Sequence, residues 1–555
     1  MTTRKLYSQK KASQPAKATD EITMLGVGRA THGRERFIKV RLVIDGKPKT
    51  RILERASFVC NPTIVAEREL GLVGRDGVSL IQGMFKEARL QEPSFDVATV
   101  PGWWETSFVK PTGYPVGPAI PTRLPHAHEV AYKYRLKGSA SDQARLKALT
   151  VGNHLMIVCF IVGLMGPCMG WLDQATFILQ LASENQVGKS VIAAMAGSIW
   201  GRGEGTEPFF EKWILTDNGM ERIAAAHSGT LLVLDETSLQ LDRKNAGMML
   251  ATMVRLVHGE GKLRFDDQAR KRWRESIIST SNALVGEICL KAENFDLLQT
   301  LTGRLVDVFL EADKVFLNLH GHKRPEDLCA EIAGIVQRSY GKIGQAWLEA
   351  LVAEEQKEPL ASRDYLKARV KYYRNEQTRG LGLDNRTEGI LANIYAVGRL
   401  AKKLGIVSWS KDEIIAALHW LEDRHIEARK KTAEVQGARV LSVERKFDLL
   451  AAYIRDHKAE FVRVDPAKAL PASHDHKTCA GYRWDDGLIM LPIERLKDLF
   501  GSFGYQDMLA DVRYKTVFKR AKARRSMTRL VGKGQRENGF VLDRKEMARL
   551  ATSAD

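Results

Sequence analysis

Ser183-Glu-Asn-Gln-Val-Gly188-Lys189-Ser190 stands between a short apolar run, FILQLA at 177–182, and a small-residue stretch, SVIAAMAGSIWG at 190–201. The phosphate-binding loop pattern GxxxxGK[ST] needs this strand-to-helix placement, because backbone N–H groups and the helix start receive the phosphates. Lys189 is then placed to reach the β- and γ-phosphates, and the Ser190 hydroxyl to join Mg²⁺. Ser183 takes the position of the first loop glycine. If that position requires a positive φ, serine carries a strain that glycine avoids. The competing reading is a chance Gly-Lys-Ser at a helix start.

Downstream, Leu231-Leu-Val-Leu-Asp235-Glu236 sets two carboxylates at the end of an apolar strand. Acids there are costly unless they meet a metal or a cation. Asp235 is the candidate to organise Mg²⁺ and Glu236 the candidate to polarise the attacking water. A third run, SIISTSN at 276–282, ends in polar residues that can stand between the first two motifs, with Asn282 the first choice to sense phosphate. Arg304, just beyond this sheet, is a candidate to complete a neighbouring subunit's site in trans. Arg386, beside a long helical pattern, is the alternative, acting in cis from a lid.

Two basic segments point to a polyanion. His258-Gly259-Glu260-Gly261-Lys262-Leu263-Arg264, followed by Arg270, Lys271, Arg272, Trp273 and Arg274, combines flexible glycines, cations and an aromatic. That composition suits a hairpin touching phosphates and stacking on bases, or a solvated loop beside a core tryptophan. Near the C-terminus, Arg513, Lys515, Lys519, Arg520, Lys522, Arg524, Arg525 and Arg529 form a single-signed run. Tyr514, Val517 and Phe518 fall at helical spacing within it, which predicts a helix with one core face and one basic face. The whole chain carries a net charge of +18, with 85 Lys+Arg against 67 Asp+Glu, an excess that favours nucleic acid. His474, Asp475, His476 and Cys479 offer only three good zinc donors.

The elements that must position these residues are those of a large globular chain. Its 555 residues suffice for several domains. Cys60, Cys159, Cys168, Cys289, Cys329 and Cys479 form no CxxC pair, which fits a reducing, cytoplasmic compartment. The run LMIVCFIVGLMGPCMGWL at 155–172 just reaches the length of a membrane span, but Gly163, Gly166, Pro167 and Gly170 break it. A buried helix leading into a central strand is the expectation. FIKVRLVID at 37–45 alternates as a strand before the turn signal Asp45-Gly46, and prolines from Pro101 to Pro125 disfavour long helices. Ser410 with Glu413 predicts a capping box ahead of an amphipathic helix. The short apolar strands alternating with helices predict a parallel sheet covered on both faces. The expected divisions are a basic disordered tail over 1–20, a mixed α+β domain over 21–150, a P-loop core over 151–320, a helical lid over 321–435 and a basic C-terminal nucleic-acid-binding domain over 436–555.

Taken in order, these segments resemble the family catalogued as domain of unknown function 927, found with helicase and primase proteins of phages and mobile elements. The resemblance runs from about residue 58 to 320. It rests on Gly102-Trp103 with Phe108-Val109, Gly152-Asn153, the loop 183–190, Trp213 with Thr216, the LLVLDE strand, Gly259 to Lys262 with Arg264, and Ser279-Thr280. It implies an AAA+-like, ring-forming ATPase core that moves on DNA, with Lys189, Ser190, Asp235 and Glu236 matching the nucleotide motifs. The chain departs from the pattern at Ser183 and at Ser281-Asn282, where the family carries Gly-Glu. A winged-helix-like tail is expected over the C-terminal part. Together these readings predict an ATP- and Mg²⁺-dependent DNA helicase or translocase, with a nucleotide-gated DNA-binding switch of little turnover as the alternative.

Overall fold

The computed structural model describes residues 22–31, 35–44, 47–71, 75–124, 127–183, 187–213, 217–235, 243–262, 271–381, 383–440, 443–465, 467–468, 479–500, 517–519, 527–532 and 535–546. Asp45, Gly46, Thr216, Glu236, Arg264, Arg270, His474, Asp475, His476, Arg513, Tyr514, Lys515, Arg520, Lys522, Arg524 and Arg525 lie outside these residues.

The strands fall into four sheets. β1 (Thr23–Ala30), β2 (Arg36–Ile44) and β3 (Lys47–Glu54) form an antiparallel meander, and β4 (Phe95–Val97) joins β1 in parallel. The strand expected at 37–45 is therefore present as β2. The proline-rich stretch builds a small antiparallel sheet from β5 (Gly102–Trp104), β6 (Ser107–Val109) and β7 (Pro115–Val116). Short strands tolerate prolines at their ends, where a long helix would not.

The central sheet has β8 (Phe177–Ala182), β9 (Glu211–Lys212), β10 (Leu231–Asp235), β11 (Ser276–Ser281) and β12 (Leu305–Phe309). Its order is β12-β8-β11-β10-β9, and every pair is parallel. Why these strands read as unbroken apolar runs follows from where alternate residues go. Leu179, Leu181, Leu231, Val233, Ile278 and Val308 enter one core cluster, while Ile178, Leu232, Leu234, Ile277 and Leu305 enter another. Successive side chains point to opposite faces, so a sheet buried on both faces needs apolar residues at nearly every position.

The run that approached membrane length is divided. A helix covers His154–Leu164, its residues Leu155 to Leu164 are all buried, and a 3-10 turn at Gly166–Cys168 ends it. Gly166 has no room for a side chain, since a Cβ would lie 2.2 Å from the Thr230 carbonyl oxygen. Among the described residues, no helix is long and apolar enough to cross a membrane.

The segment after β12 is helical, including Pro325–Arg338, Lys342–Lys357, Ala361–Glu376, Asn385–Lys403 and Lys411–Val440. At the start of the last helix the Ser410 amide donates to Glu413 Oε2 at 2.8 Å and the Glu413 amide to Ser410 Oγ at 3.1 Å, the predicted capping box. These helices do not stand apart from the central sheet: the largest core cluster draws continuously on residues from Phe108 to Leu421.

The C-terminal part contains more strand than its sequence indicated. β13 (Val462–Arg463), β14 (Tyr482–Arg483), β15 (Leu488–Pro492), β16 (Phe518–Lys519), β17 (Met527–Gly532) and β18 (Gln535–Asp543) form one sheet. The helix expected through Val517 and Phe518 is corrected here. Phe518 and Lys519 pair with Leu542 and Val541 of β18, and Val517 is fully buried. The spacing of Tyr514, Val517 and Phe518 suits a helix better than a strand, so here tertiary pairing overrides the local period.

Candidate nucleotide site

β8 delivers the chain to the loop 183–188, and the helix Lys189–Gly197 leaves it. The turn depends on Gly188, whose φ is 88°. A Cβ there would stand 2.9 Å from the Phe316 ring and 3.1 Å from Cys329 Sγ, so a side chain is both strained and obstructed. Ser183 is different. It is buried, its amide donates to the Ser281 carbonyl at 3.2 Å, and it is not among the residues of positive φ. The serine continues the strand and carries none of the strain anticipated for that position.

Three strand ends converge on this turn because β11 is inserted between β8 and β10. Lys189 Nζ donates to the Ser183 carbonyl at 2.6 Å and to Asn282 Oδ1 at 3.0 Å. Ser190 Oγ donates to Asp235 Oδ1 at 3.1 Å. Thr280 Oγ1 donates to the same oxygen at 2.6 Å. A cation, a hydroxyl, a carboxylate and an amide thus meet in one place, from separate segments of sequence. Glu236 follows Asp235 directly and lies outside the described residues.

Thr280 is the residue that sequence reasoning passed over in favour of Asn282. The signal was available: residues 280 and 282 share a face at period two, and both leave β11 toward the loop. The Asn282 segment is pinned from behind. Ser281 Oγ donates to the Ala283 carbonyl at 2.7 Å, Gln180 Nε2 to the same carbonyl at 3.4 Å, and the Val285 amide donates to Asp307 Oδ2 at 2.8 Å. Burial raises the Asp307 carboxyl to about 7, partly opposed by that amide.

The donor set fits a magnesium–nucleotide complex. The positive φ of Gly188 sets the turn at a helix start, Lys189 brings a cation to it, and Ser190 and Asp235 share one point where a hard cation takes oxygen ligands. Among the described residues there is no cluster of three His, Cys, Asp or Glu side chains fit for a metal, so a divalent ion here would draw its remaining ligands from phosphate and water.

Both arginine candidates lie at the other end of the sheet. Arg304 immediately precedes β12, its carbonyl accepts from the Ile178 amide at 2.9 Å, and Nη1 stands 3.3 Å from His258 Nδ1. Arg386 opens the helix Asn385–Lys403 beside Gly303, where a Cβ would meet the Arg386 Cβ at 2.8 Å. Neither is placed to reach Lys189 within the same chain. For Arg386 this corrects the expected cis role; the reason is that it lies beside Gly303, just ahead of β12, at the opposite end of the strands from the loop.

The basic hairpin also leaves from that end. Its base is laddered, with the Gly261 amide donating to the Lys271 carbonyl at 2.9 Å and the Trp273 amide to the Gly259 carbonyl at 3.0 Å. Gly261 accommodates the buried Glu221, whose Oε2 would lie 2.8 Å from a Cβ. Lys262 is exposed and Lys271 half-buried, whereas Trp273 is 5% exposed and donates to the Leu256 carbonyl at 2.9 Å. Of the two readings of Trp273 the core one fits: its ring is buried beneath the base of the segment.

Close to the same strand starts lies a sealed polar group. The Tyr134 hydroxyl is 2.8 Å from His227 Nδ1 and 2.6 Å from Thr230 Oγ1, and Lys133 Nζ pairs with Glu211 at 2.8 Å. Glu275 is fully buried with neither carboxylate oxygen hydrogen-bonded, and burial raises its carboxyl well above the usual range. Burial, with Lys133 nearby, lowers His227 to about 3.

No curated protein matches this sequence. Among solved structures, one described as "SCCmec type IV Cch - active helicase" is similar, with a TM-score of 0.54 and 15% identity over 96% of this chain and 95% of that one. At that identity the likeness concerns the fold. Residues 66–273 match the model of the family described as Domain of unknown function (DUF927), the family that the motifs of this sequence resemble.

Proposed function

We propose that this chain is a P-loop, AAA+-like ATPase that translocates on or unwinds DNA, as part of a mobile-element or phage-like replication system, working as a homo-oligomeric ring. The observation that carries the reading is the meeting of Lys189, Ser190, Asp235, Thr280 and Asn282 at the ends of three adjacent parallel strands. The similarity in fold to a structure described as an active helicase supports the same reading.

In this mechanism Lys189 exchanges neutral oxygen partners, the Ser183 carbonyl and the Asn282 amide, for the β- and γ-phosphates. Ser190 and Asp235 would hold Mg²⁺, and the ion when bound would supply charge neutralisation at the phosphates. Thr280 fixes the Asp235 carboxylate, Glu236 polarises the attacking water, and Asn282 orients the γ-phosphate. Arg304 of one subunit completes the site of the next, a role suited to a residue at the far end of the sheet. Lys262, Arg264, Arg270 and Lys271 of the basic segment, and Arg520, Arg524 and Arg525 near the C-terminus in sequence, contact DNA phosphates. Ser183 lacks a positive φ, which removes the strain argument for a switch with little turnover.

Steady-state ATP hydrolysis with and without single-stranded DNA, paired with strand displacement, tests the proposal. The expected result is DNA-stimulated turnover and displacement, both abolished in Lys189→Ala. Turnover that persists in that variant, or that ignores DNA, overturns it.

A further inference from the structure

The helical segment carries a cationic cluster that the nucleotide site does not use. On the helix Ala361–Glu376, Tyr365, Arg369 and Tyr372 recur at helical spacing and share a face. The neighbouring helix Asn385–Lys403 brings Tyr395 and Arg399 to it, and the start of Lys411–Val440 brings Lys411. The Arg369 guanidinium lies 5.3 Å from the Tyr365 ring centre and 5.9 Å from that of Tyr372. Lys411 Nζ lies 5.4 Å above the Tyr372 ring and donates to its hydroxyl at 3.2 Å. Tyr372 in turn stacks on Tyr395, with 5.9 Å between centres.

Among the described residues, the central cations are not held in ion pairs, although Asp412 acts on Lys411 electrostatically. Lys403, at the margin, pairs with Glu354 at 3.0 Å. Among the described residues, no carboxylate is ion-paired with Arg369, Arg399 or Lys411. The Nε atoms of Arg369 and Arg399 are buried and make no hydrogen bond, and neither does the hydroxyl of Tyr395, a fully buried residue. Arg399, Arg369 and Lys411 all lower the Tyr395 hydroxyl electrostatically, against the larger effect of burial, so the three charges lie in its neighbourhood. Like charges gathered around unsatisfied donors are costly unless an anion joins them.

We propose that Arg369, Arg399, Lys411 and the Tyr395 hydroxyl form a binding site for a phosphate group. Three cations and a phenol match the oxygens of a phosphate, and the half-buried Tyr365 and Tyr372 rings offer faces for stacking beside it. Two sources share that chemistry: the backbone of a single-stranded nucleic acid, and free inorganic phosphate. The first rests on the DNA-translocating function proposed above; the second does not.

The test uses the full chain without nucleotide, so that absence of ATP hydrolysis would defeat the proposed function and leave this result untouched. Binding of a fluorescent oligothymidylate is followed as salt rises, beside the melting temperature with and without inorganic phosphate. Lys411→Gln lies on the surface and serves as the variant least able to disturb folding; Arg369→Gln/Lys411→Gln and Tyr395→Phe complete the set. For a nucleic-acid source, the double variant binds roughly tenfold more weakly, and its salt slope falls by about 0.7 for each phosphate it no longer neutralises. Tyr395→Phe then weakens binding with the slope unchanged. If oligonucleotide affinity is constant but phosphate raises the melting temperature of the wild type and not of the variants, the site stands with free phosphate as its ligand. If neither measurement distinguishes the variants from the wild type, no phosphate binds there and the proposal is overturned.

Discussion

At the ends of its parallel strands the central sheet gathers Lys189, Ser190, Asp235, Thr280 and Asn282; near their beginnings it gathers Lys133, Tyr134, His227, Glu211 and Glu275. Both groups are polar, and both are largely enclosed. They differ in what surrounds them. The first group borders a glycine turn and a helix start, with Ser190 and Asn282 exposed to an incoming ligand. The second is more enclosed, and burial drives two of its members toward neutrality: Glu275 upward and His227 down to about 3. A buried polar cluster is therefore no sign of chemistry by itself. Access, together with groups that aim at one point, separates a candidate active site from a packed polar core.

The largest effect expected from testing this contrast is at Lys189. Lys189→Ala should lower ATP hydrolysis by roughly a thousandfold, the scale of removing one charge-stabilising donor, while the melting temperature stays close to that of the wild type. A large fall in melting temperature would instead make the lysine part of the packed core. Next is Gly188→Ala. Its positive φ and the approach to Phe316 should weaken nucleotide binding by roughly tenfold or more, read by titration with a fluorescent nucleotide. Unchanged affinity would mean that the turn is not where phosphate docks.

Thr280→Val removes a hydrogen bond to the Asp235 carboxylate, an interaction worth about 1.5–3 kcal/mol. If Asp235 must be held for magnesium, kcat falls roughly tenfold and a raised magnesium concentration restores part of it. A variant with normal kcat would remove Thr280 from the site. The smallest effect belongs to the sealed group. Glu275 has a raised carboxyl pKa in the folded chain, so its contribution to stability is fully present below its unfolded value and is lost as pH rises through the folded one. Glu275→Gln should leave hydrolysis at neutral pH unchanged and flatten the fall of melting temperature with rising pH. A change in hydrolysis at constant stability would erase the distinction between the two groups.

Much of the central sheet was legible because its physics is local. FILQLA, LLVLDE and SIISTSN each read as strands from apolar run length, and strands occupy Phe177–Ala182, Leu231–Asp235 and Ser276–Ser281. The order of those strands was not legible, yet it is what puts Thr280 and Asn282 between the glycine turn and Asp235. The C-terminal part was read less well. Its short strands carry mixed charges, and Phe518 pairs with Leu542 across a separation that no local pattern encodes. Trp273 stayed open between stacking and core for a related reason: cations on both sides make a basic motif, but only packing shows that the ring points inward. The tyrosine–arginine face on the helical segment went unread because its members come from three helices.

What the sequence alone determined is the local inventory: which residues can bind phosphate, where strands and helices begin, and the capping of the helix at Ser410. These follow from backbone preference, side-chain period and donor type, all carried by neighbours in the chain. The tertiary structure decided the rest. It held Asp235 between Ser190 and Thr280, relieved Ser183 of any backbone strain, moved Arg304 and Arg386 to the far end of the sheet, and gathered cations around Tyr395. Each of those outcomes depends on interactions between residues far apart in sequence, whose energies exist only once the chain has packed.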